Sequence, residues 1–178
     1  MILIPPPNVG EYAPYMRVYI DLVPLDNPVL EQFAVAAQVL DTLVRSFTAE
    51  QRITPHAAGE WTIHDILGHI TDAERVFGYR ALRFARADTT DLAGFDENTY
   101  VQQAGANARP TEDLLVEFHA VRMASFHLLS SFTPEAITRA GTANGNPLSV
   151  RAVPYQIIGH QLHHMNSIRE NYGRLLTG

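Results

Sequence analysis

The 178-residue chain contains no cysteine, and its 13 basic residues are all arginine because lysine is absent as well. The first absence excludes a disulfide framework, a thiolate nucleophile and a cysteine-ligated zinc site. The second excludes catalysis through a lysine Schiff base. Any bound metal ion must therefore be held by histidines and carboxylates, and a strong nucleophile has to come from outside the chain.

Long hydrophobic runs are also missing, since no stretch approaches the ~20 apolar residues of a membrane-spanning helix. The opening segment, Met1–Pro7, has no basic region and an apolar run of only four residues, too short for a signal peptide. We therefore expect a cytoplasmic protein without a membrane partner. The net charge of −6, without blocks of like charge, argues against nucleic acid and favours a small-molecule substrate.

Apolar residues recur at three- and four-residue steps in four segments, which predicts four amphipathic helices. Their predicted bounds are residues 28–50, 62–87, 111–132 and 149–176. We expect Thr62, Thr111 and Ser149 to cap the last three helices. Pro154 predicts a later start or a small bend in the fourth. No strand-like alternation is found, so the expected fold is all-α, a four-helix bundle in a single domain over residues 1–178.

Two segments outside these helices have distinctive compositions. Residues 1–27 carry five of the eleven prolines together with several tyrosines, which predicts an extended arm packing on the bundle. The connection over residues 88–110 is longer than the ~12–15 residues of a plain loop. We expect this connection to cross the bundle or to close over a functional site.

Among the eight histidines, His160 and His164 stand four residues apart, so they share one helix face and can bind one metal ion. No glutamate follows His160, which excludes the H-E-x-x-H metalloprotease motif. His69, on the second helix, faces the interior of the bundle, where an imidazole needs a partner. It is either a third ligand or a core histidine bonded to a backbone carbonyl. The histidines expected to be structural, neighbouring or solvated are His56, His64, His119, His127 and His163.

Several motifs, in their order and spacing, resemble the DinB/YfiT-like superfamily. They are Glu60–Arg75 with its Trp-Thr-Ile start, Tyr79–Arg86, Gly94–Glu97, Gly159–His164 and Arg169-Glu170. The resemblance extends over nearly the whole chain and includes the proline-rich lead and the link over residues 141–147. It implies a four-helix bundle that holds a divalent metal, zinc or nickel, through one histidine of the second helix and two of the fourth. These positions correspond to His69, His160 and His164 in this chain.

The resemblance also implies chemistry, because the best-understood members of the superfamily use the metal with a low-molecular-weight thiol such as bacillithiol, mycothiol or glutathione, although most members have no assigned reaction. This chain departs from the usual pattern at His64, where a basic residue is common, and at Pro154. We interpret the protein as a divalent-metal-dependent enzyme, in its specific form a thiol-dependent S-transferase acting on small electrophiles. The alternative is a non-enzymatic metal-binding or stress-related interaction protein, and in either case a homodimer is possible.

Three further side chains are candidates for catalytic roles. Glu74 and Asp65 are candidate acid/base groups, and Asp65 stands one turn before His69, from where it can orient the imidazole ring. Arg80 is a candidate clamp for an anion. For each of the three, an ordinary surface ion pair is the competing interpretation.

Overall fold

The computed structural model describes residues 2–176 of the chain. These residues contain seven α-helices and one β-hairpin. The helices are α1 (Arg17–Ile20), α2 (Gln32–Arg45), α3 (Ala49–Ile53), α4 (Ile63–Ala85), α5 (Glu97–Ala104), α6 (Thr111–Ser130) and α7 (Ala152–Tyr172). The strands are β1 (Ala140–Ala143) and β2 (Asn146–Ser149), which pair antiparallel. Within the described residues, no helix is both long enough and apolar enough to cross a membrane.

The four long helices α2, α6, α4 and α7 are neighbours around a bundle in that order. The first half of α4 shares an apolar cluster with the second half of α7, so these two helices run antiparallel. A second cluster at the other end contains residues of the N-terminal arm and the hairpin. The predicted all-α four-helix bundle is confirmed, and the small hairpin is an addition to it.

Helix α4 begins where the sequence predicted a cap. The Thr62 hydroxyl accepts from the Asp65 backbone N–H at 3.0 Å, and the Asp65 carboxylate accepts from the Thr62 N–H at 3.1 Å. This reciprocal pair satisfies two amide donors that the first helical turn leaves free. One face of the helix, which includes Ile66 and Ile70, is then buried against the rest of the bundle.

The first predicted helix, over residues 28–50, is wrong as a single element. Helix α2 ends at Arg45 and α3 begins separately at Ala49. The break occurs because Thr48 adopts extended backbone angles and forms a capping box with Gln51. A capping pair thus interrupts a continuous apolar periodicity.

Two predicted caps are also corrected. Pro110 is the N-cap of α6, and Thr111 is its first helical residue. Ser149 belongs to β2, although its hydroxyl still accepts from the Ala152 N–H at 3.2 Å. Helix α7 therefore takes the later start, which leaves Pro154 in the first turn, where its missing N–H removes no intrahelical bond.

The connection over residues 88–110 contains a helix, α5, that the sequence analysis did not predict. The Asp96 carboxylate caps it by accepting from the Thr99 N–H at 2.9 Å, and Gly105 ends it with a φ of 61°. In the hairpin, Asn144 and Gly145 have φ values of 51° and 69°. Two consecutive positive φ values are what a tight hairpin turn of type I′ requires.

The N-terminal arm packs across α7 and contains helix α1 and not only extended chain. Its contacts include the Tyr155 hydroxyl, which donates to the Ile4 carbonyl at 3.0 Å. Glu11 accepts from the Arg151 Nε at 2.6 Å and from the Ser149 hydroxyl at 3.0 Å. The arm is therefore attached at the start of the helix that carries two of the candidate metal ligands.

Candidate metal centre

Three histidine rings from two antiparallel helices converge in the interior of the bundle. His160 Nε2 lies 3.0 Å from His69 Nε2 and 3.1 Å from His164 Nε2. One ligand nitrogen of each ring lies within 4.8 Å of the other two. The structure thus brings together the three histidines that helical periodicity and the family resemblance both selected.

Two of the three separations between these nitrogens fit a shared metal ion. Two nitrogens bound to zinc at ~2.0–2.1 Å, with angles between 90° and tetrahedral, lie roughly 2.9–3.4 Å apart. The two close separations, 3.0 and 3.1 Å, fall in this range. A neutral imidazole carries only one N–H, so three facing nitrogens cannot all be satisfied by each other. An all-imidazole donor set suits zinc, nickel and related divalent ions.

Burial keeps these imidazoles uncharged. It lowers the pKa of His69 to about 4. Burial, together with the nearby His69 and His163 rings, lowers the pKa of His164 to about 3. The pKa of the buried His160 is held well below its ordinary value for the same reasons. All three rings are therefore in the deprotonated form that a metal ion binds at neutral pH.

Aromatic side chains surround the three rings and limit their movement. The Trp61 ring lies 4.8 Å from the His69 ring. The Tyr19 and Phe77 rings lie 5.3 Å and 5.5 Å from the His160 ring, both edge to face. An apolar shell of this kind fixes ligand orientation and restricts the access of water.

A cavity of about 280 Å³ adjoins the three histidines. Its α7 wall consists of residues at four-residue steps, Gln156, His160 and His164. Its α4 wall consists of His69, Ala73, Phe77 and Arg80. The arm contributes Tyr15 and Tyr19, the long connection contributes Phe95 and Glu97, and the hairpin turn contributes Asn144. The centre is therefore open to a small molecule on one side.

Arg80 is the one candidate among the three further side chains that lines this cavity. Its residue is only 6% exposed, its Nη2 donates to the Ala93 carbonyl at 3.2 Å, and its Nε is buried without a hydrogen-bond partner. No carboxylate of the described residues forms an ion pair with it. Burial lowers the pKa of Arg80 from its ordinary value, yet a guanidinium stays charged in a protein.

Glu74 and Asp65 lie outside the lining of the cavity and have structural partners. The Glu74 carboxylate accepts from Arg122 at 2.9–3.0 Å, and both side chains are only 2% exposed. Asp65 caps α4 and accepts from the Asn107 side chain at 3.0 Å. Both carboxylates therefore serve folding contacts in this structure, and the acid/base roles considered for them have no supporting geometry.

Glu97 and Gln156 are among the cavity residues that the sequence analysis did not single out. Glu97 is a carboxylate of the cavity wall, and it comes from the connection for which a functional role was expected. Gln156 is 3% exposed, and its side-chain oxygen is buried without a hydrogen-bond partner. The sequence could have identified Gln156 as a candidate, because it is the single polar residue in the apolar run 152–158 and stands one turn before His160.

The remaining histidines lie outside the convergent group. They are His56, His64, His119, His127 and His163. His64 Nε2 lies 3.0 Å from the Thr111 hydroxyl, and His119 pairs with Asp41 at 2.9 Å. His163 is exposed and packs against Tyr19.

Comparison with known proteins identifies the class of protein that this fold and site define. The family model of the DinB superfamily matches residues 32–168. The chain therefore belongs to the DinB superfamily, which confirms the resemblance seen in the sequence.

Two individual proteins are similar to this chain. A protein of Geobacillus thermodenitrificans named "Putative metal-dependent hydrolase" is 26% identical over 153 residues, which span 82% of this chain and 86% of the relative. The solved structure of YfiT from Bacillus subtilis, described as "a probable metal-dependent hydrolase with an unusual four-helix bundle topology", superposes with a TM-score of 0.65 at 17% identity. That superposition covers 89% of this chain and 98% of YfiT, and it supports the fold.

Proposed function

We propose that this protein is a metal-dependent enzyme acting on a small molecule, with His69, His160 and His164 as ligands of one zinc or nickel ion. The observation that carries the proposal is the opening of three converging, uncharged histidines onto a cavity. A divalent ion held there would lower the pKa of a water or thiol bound to it and so supply a nucleophile at neutral pH.

A catalytic centre is favoured over a structural one by the number of protein ligands. Structural zinc sites are closed by four side chains, whereas catalytic sites have three and leave a position for water or substrate. Here the described residues supply three ligands, and polar side chains line the space beside them. A metal-binding or interaction protein without turnover, which is the competing function, does not require a cavity lined with polar residues beside the metal site.

The residues around the cavity have distinct roles in this proposal. Trp61, Tyr19 and Phe77 exclude bulk water and hold the imidazole rings in place. Glu97 is an exposed residue that also lines the cavity, and its carboxylate can accept a proton from a bound molecule while the rings themselves stay neutral. The open side of the cavity admits the substrate.

In this proposal the attacking group comes from outside, since the chain has neither a cysteine thiol nor a lysine amine to supply it. Water gives a hydrolase, which is how both relatives are described. A low-molecular-weight thiol gives the more specific function, a thiol-dependent S-transferase acting on an electrophilic small molecule. Both reactions use the same centre, so one experiment can separate them.

The test compares two assays on tag-free protein loaded with zinc or nickel. Hydrolysis is followed with nitrophenyl esters, and thiol transfer with chlorodinitrobenzene plus bacillithiol, mycothiol or glutathione. We expect one of the two rates to rise in proportion to metal occupancy. Retention of the transferase rate below the free pKa of the thiol supports the thiol form, because metal coordination lowers that pKa.

Two variants serve as controls. His160→Ala removes a proposed ligand and should abolish the rate, whereas His127→Ala changes an exposed histidine outside the cavity and should leave it unchanged. Equal rates for the wild type and His160→Ala, in both assays, would count against an enzyme. A metal-binding protein without turnover would then be the better description.

A further inference from the structure

Arg80 is a buried cation without a matching anion. Its residue is 6% exposed, and only one hydrogen bond, from Nη2 to the Ala93 carbonyl, is formed by its guanidinium among the described residues. Its Nε is buried and unpartnered. An unpaired charge in the interior is costly, so proteins rarely bury one without a compensating group. The buried Arg122 follows that rule, since it is paired with Glu74.

A second unsatisfied polar group belongs to the same cavity. The Gln156 side-chain oxygen is buried without a hydrogen-bond partner, and the residue is 3% exposed. Because α4 and α7 run antiparallel, the residues after His69 on α4 lie beside the residues before His160 on α7. Arg80 and Gln156 therefore occupy the same end of the cavity, away from His164.

The position of this end relative to the three histidines follows from the helix geometry. The Phe77 ring contacts the His160 ring, and Arg80 comes three residues later, roughly 4.5 Å further along the helix axis. A ligand of modest length can thus reach from the Arg80 end to the candidate metal centre. The cavity of about 280 Å³ lies just below the ~300–1,000 Å³ typical of drug-sized ligands, which suits a smaller molecule.

We propose that the substrate of this protein carries a carboxylate, which the Arg80 guanidinium binds while Gln156 hydrogen-bonds a neighbouring polar group of the same molecule. A guanidinium is suited to a carboxylate because its planar array of N–H donors matches the two oxygens. The anchored carboxylate directs the opposite end of the molecule towards His69, His160 and His164. This inference deepens the proposed function and rests on it for the identity of the ligand as a substrate.

The test uses benzoate and benzamide as probes, because the two molecules have nearly the same shape and differ in charge. Binding is measured by calorimetry on the full chain, both loaded with zinc and after removal of metal with EDTA. We expect benzoate to bind at least tenfold more tightly than benzamide in both forms. Persistence of the preference without metal shows that the carboxylate is not held by the metal ion itself.

Variants assign the preference to a residue. Arg80→Gln should bind the two probes with equal affinity, whereas Arg86→Gln, which removes an exposed charge just beyond the end of the same helix, should keep the full preference. Thermal unfolding of each variant establishes that it is folded. If Arg80→Gln does not fold, the EDTA-treated wild type still decides, because equal binding of benzoate and benzamide there would overturn the inference.

The outcomes separate this inference from the proposed function. A benzoate preference that disappears with EDTA, or that survives in Arg80→Gln, contradicts the role of Arg80 and leaves the metal centre intact. A protein that binds no metal but still prefers benzoate through Arg80 contradicts the proposed metal-dependent function and leaves the anion site intact.

Discussion

The backbone carbonyl of Tyr19 lies directly against Gly159, so close that a Cβ atom at Gly159 would be 2.0 Å from the carbonyl oxygen. This contact brings helix α1 of the arm onto α7 one residue before His160. It also places the Tyr19 ring beside the His160 ring. The arm is therefore a wall of the candidate metal centre, and its position depends on the absence of a side chain at one residue.

Gly159→Ala should consequently push the arm away and lower the free energy of unfolding by about 1–3 kcal/mol, as overpacking of a buried contact does. Gly78→Ala is the matched control, because a Cβ there would lie 3.8 Å from the Ser125 hydroxyl, an ordinary contact. In the middle of a helix, this control should raise stability by up to about 1 kcal/mol. Urea denaturation measures both, and equal effects would contradict the close approach.

The buried pair of Glu74 and Arg122 separates a structural role from a catalytic one. Glu74→Gln leaves the Arg122 charge unpaired in the core and should lower the free energy of unfolding by about 3–5 kcal/mol. The double variant Glu74→Gln/Arg122→Met should recover part of this loss. Zinc binding at one ion per chain should remain in any folded variant. A variant with wild-type stability that has lost turnover would instead restore the catalytic interpretation of Glu74.

Attachment of the arm should depend on pH through Glu11. Its hydrogen bonds to Arg151, opposed in part by burial and aided by Ser149 and Asn8, lower the pKa of Glu11 from 4.5 to about 2. Because the folded-state pKa is depressed, the stabilisation is complete above pH 4.5 and is lost as the pH falls towards 2. Glu11→Gln should therefore be less stable than the wild type by about 1–3 kcal/mol at neutral pH.

The stability difference between Glu11→Gln and the wild type should shrink as the solution is acidified, as measured by thermal unfolding at a series of pH values. Glu170→Gln is the control, since Glu170 is exposed and forms no ion pair with any described residue. It should differ little from the wild type at any pH. A constant difference for Glu11→Gln across the series would show that the carboxylate is not bound as the structure indicates.

Helices with an intact apolar periodicity and a local cap could be predicted from the sequence. The capping pair Thr62 and Asp65 predicted the start of α4. The apolar residues around His69 predicted that its ring lies in the interior of the bundle. The helical repeat alone was sufficient to predict that His160 and His164 lie on one face of α7. These features depend on residues close together in the chain, which is why a single sequence was sufficient.

Other elements left signals that periodicity alone does not capture. Asp96 and Gly105 flank α5 as a cap and a terminator, and the dipeptide Asn144-Gly145 is typical of a hairpin turn. Both segments are too short for a clear hydrophobic pattern. They supply Glu97 and Asn144 to the cavity, so part of its wall went unpredicted.

Pairings between distant helices could not be derived from the sequence at all. From the sequence, Glu74 was either a catalytic carboxylate or a member of a surface ion pair, and its actual partner, the buried Arg122, lies 48 residues later in the chain. Arg80 looked equally like a surface ion-pair partner. Its burial without an anion depends on how the arm and the connection fold over α4, and this is a property of the tertiary structure alone.

The measurement that tests the central claim most directly is a calorimetric titration of tag-free, EDTA-treated protein with zinc and with nickel. We predict one ion per chain for the wild type and for His127→Ala, and a loss of at least a hundredfold in affinity for His69→Ala, His160→Ala and His164→Ala, each of which removes one of three ligands. These ligand variants should stay folded, because the surrounding core is apolar without the metal. Wild-type affinity in any one of the three ligand variants would contradict the account.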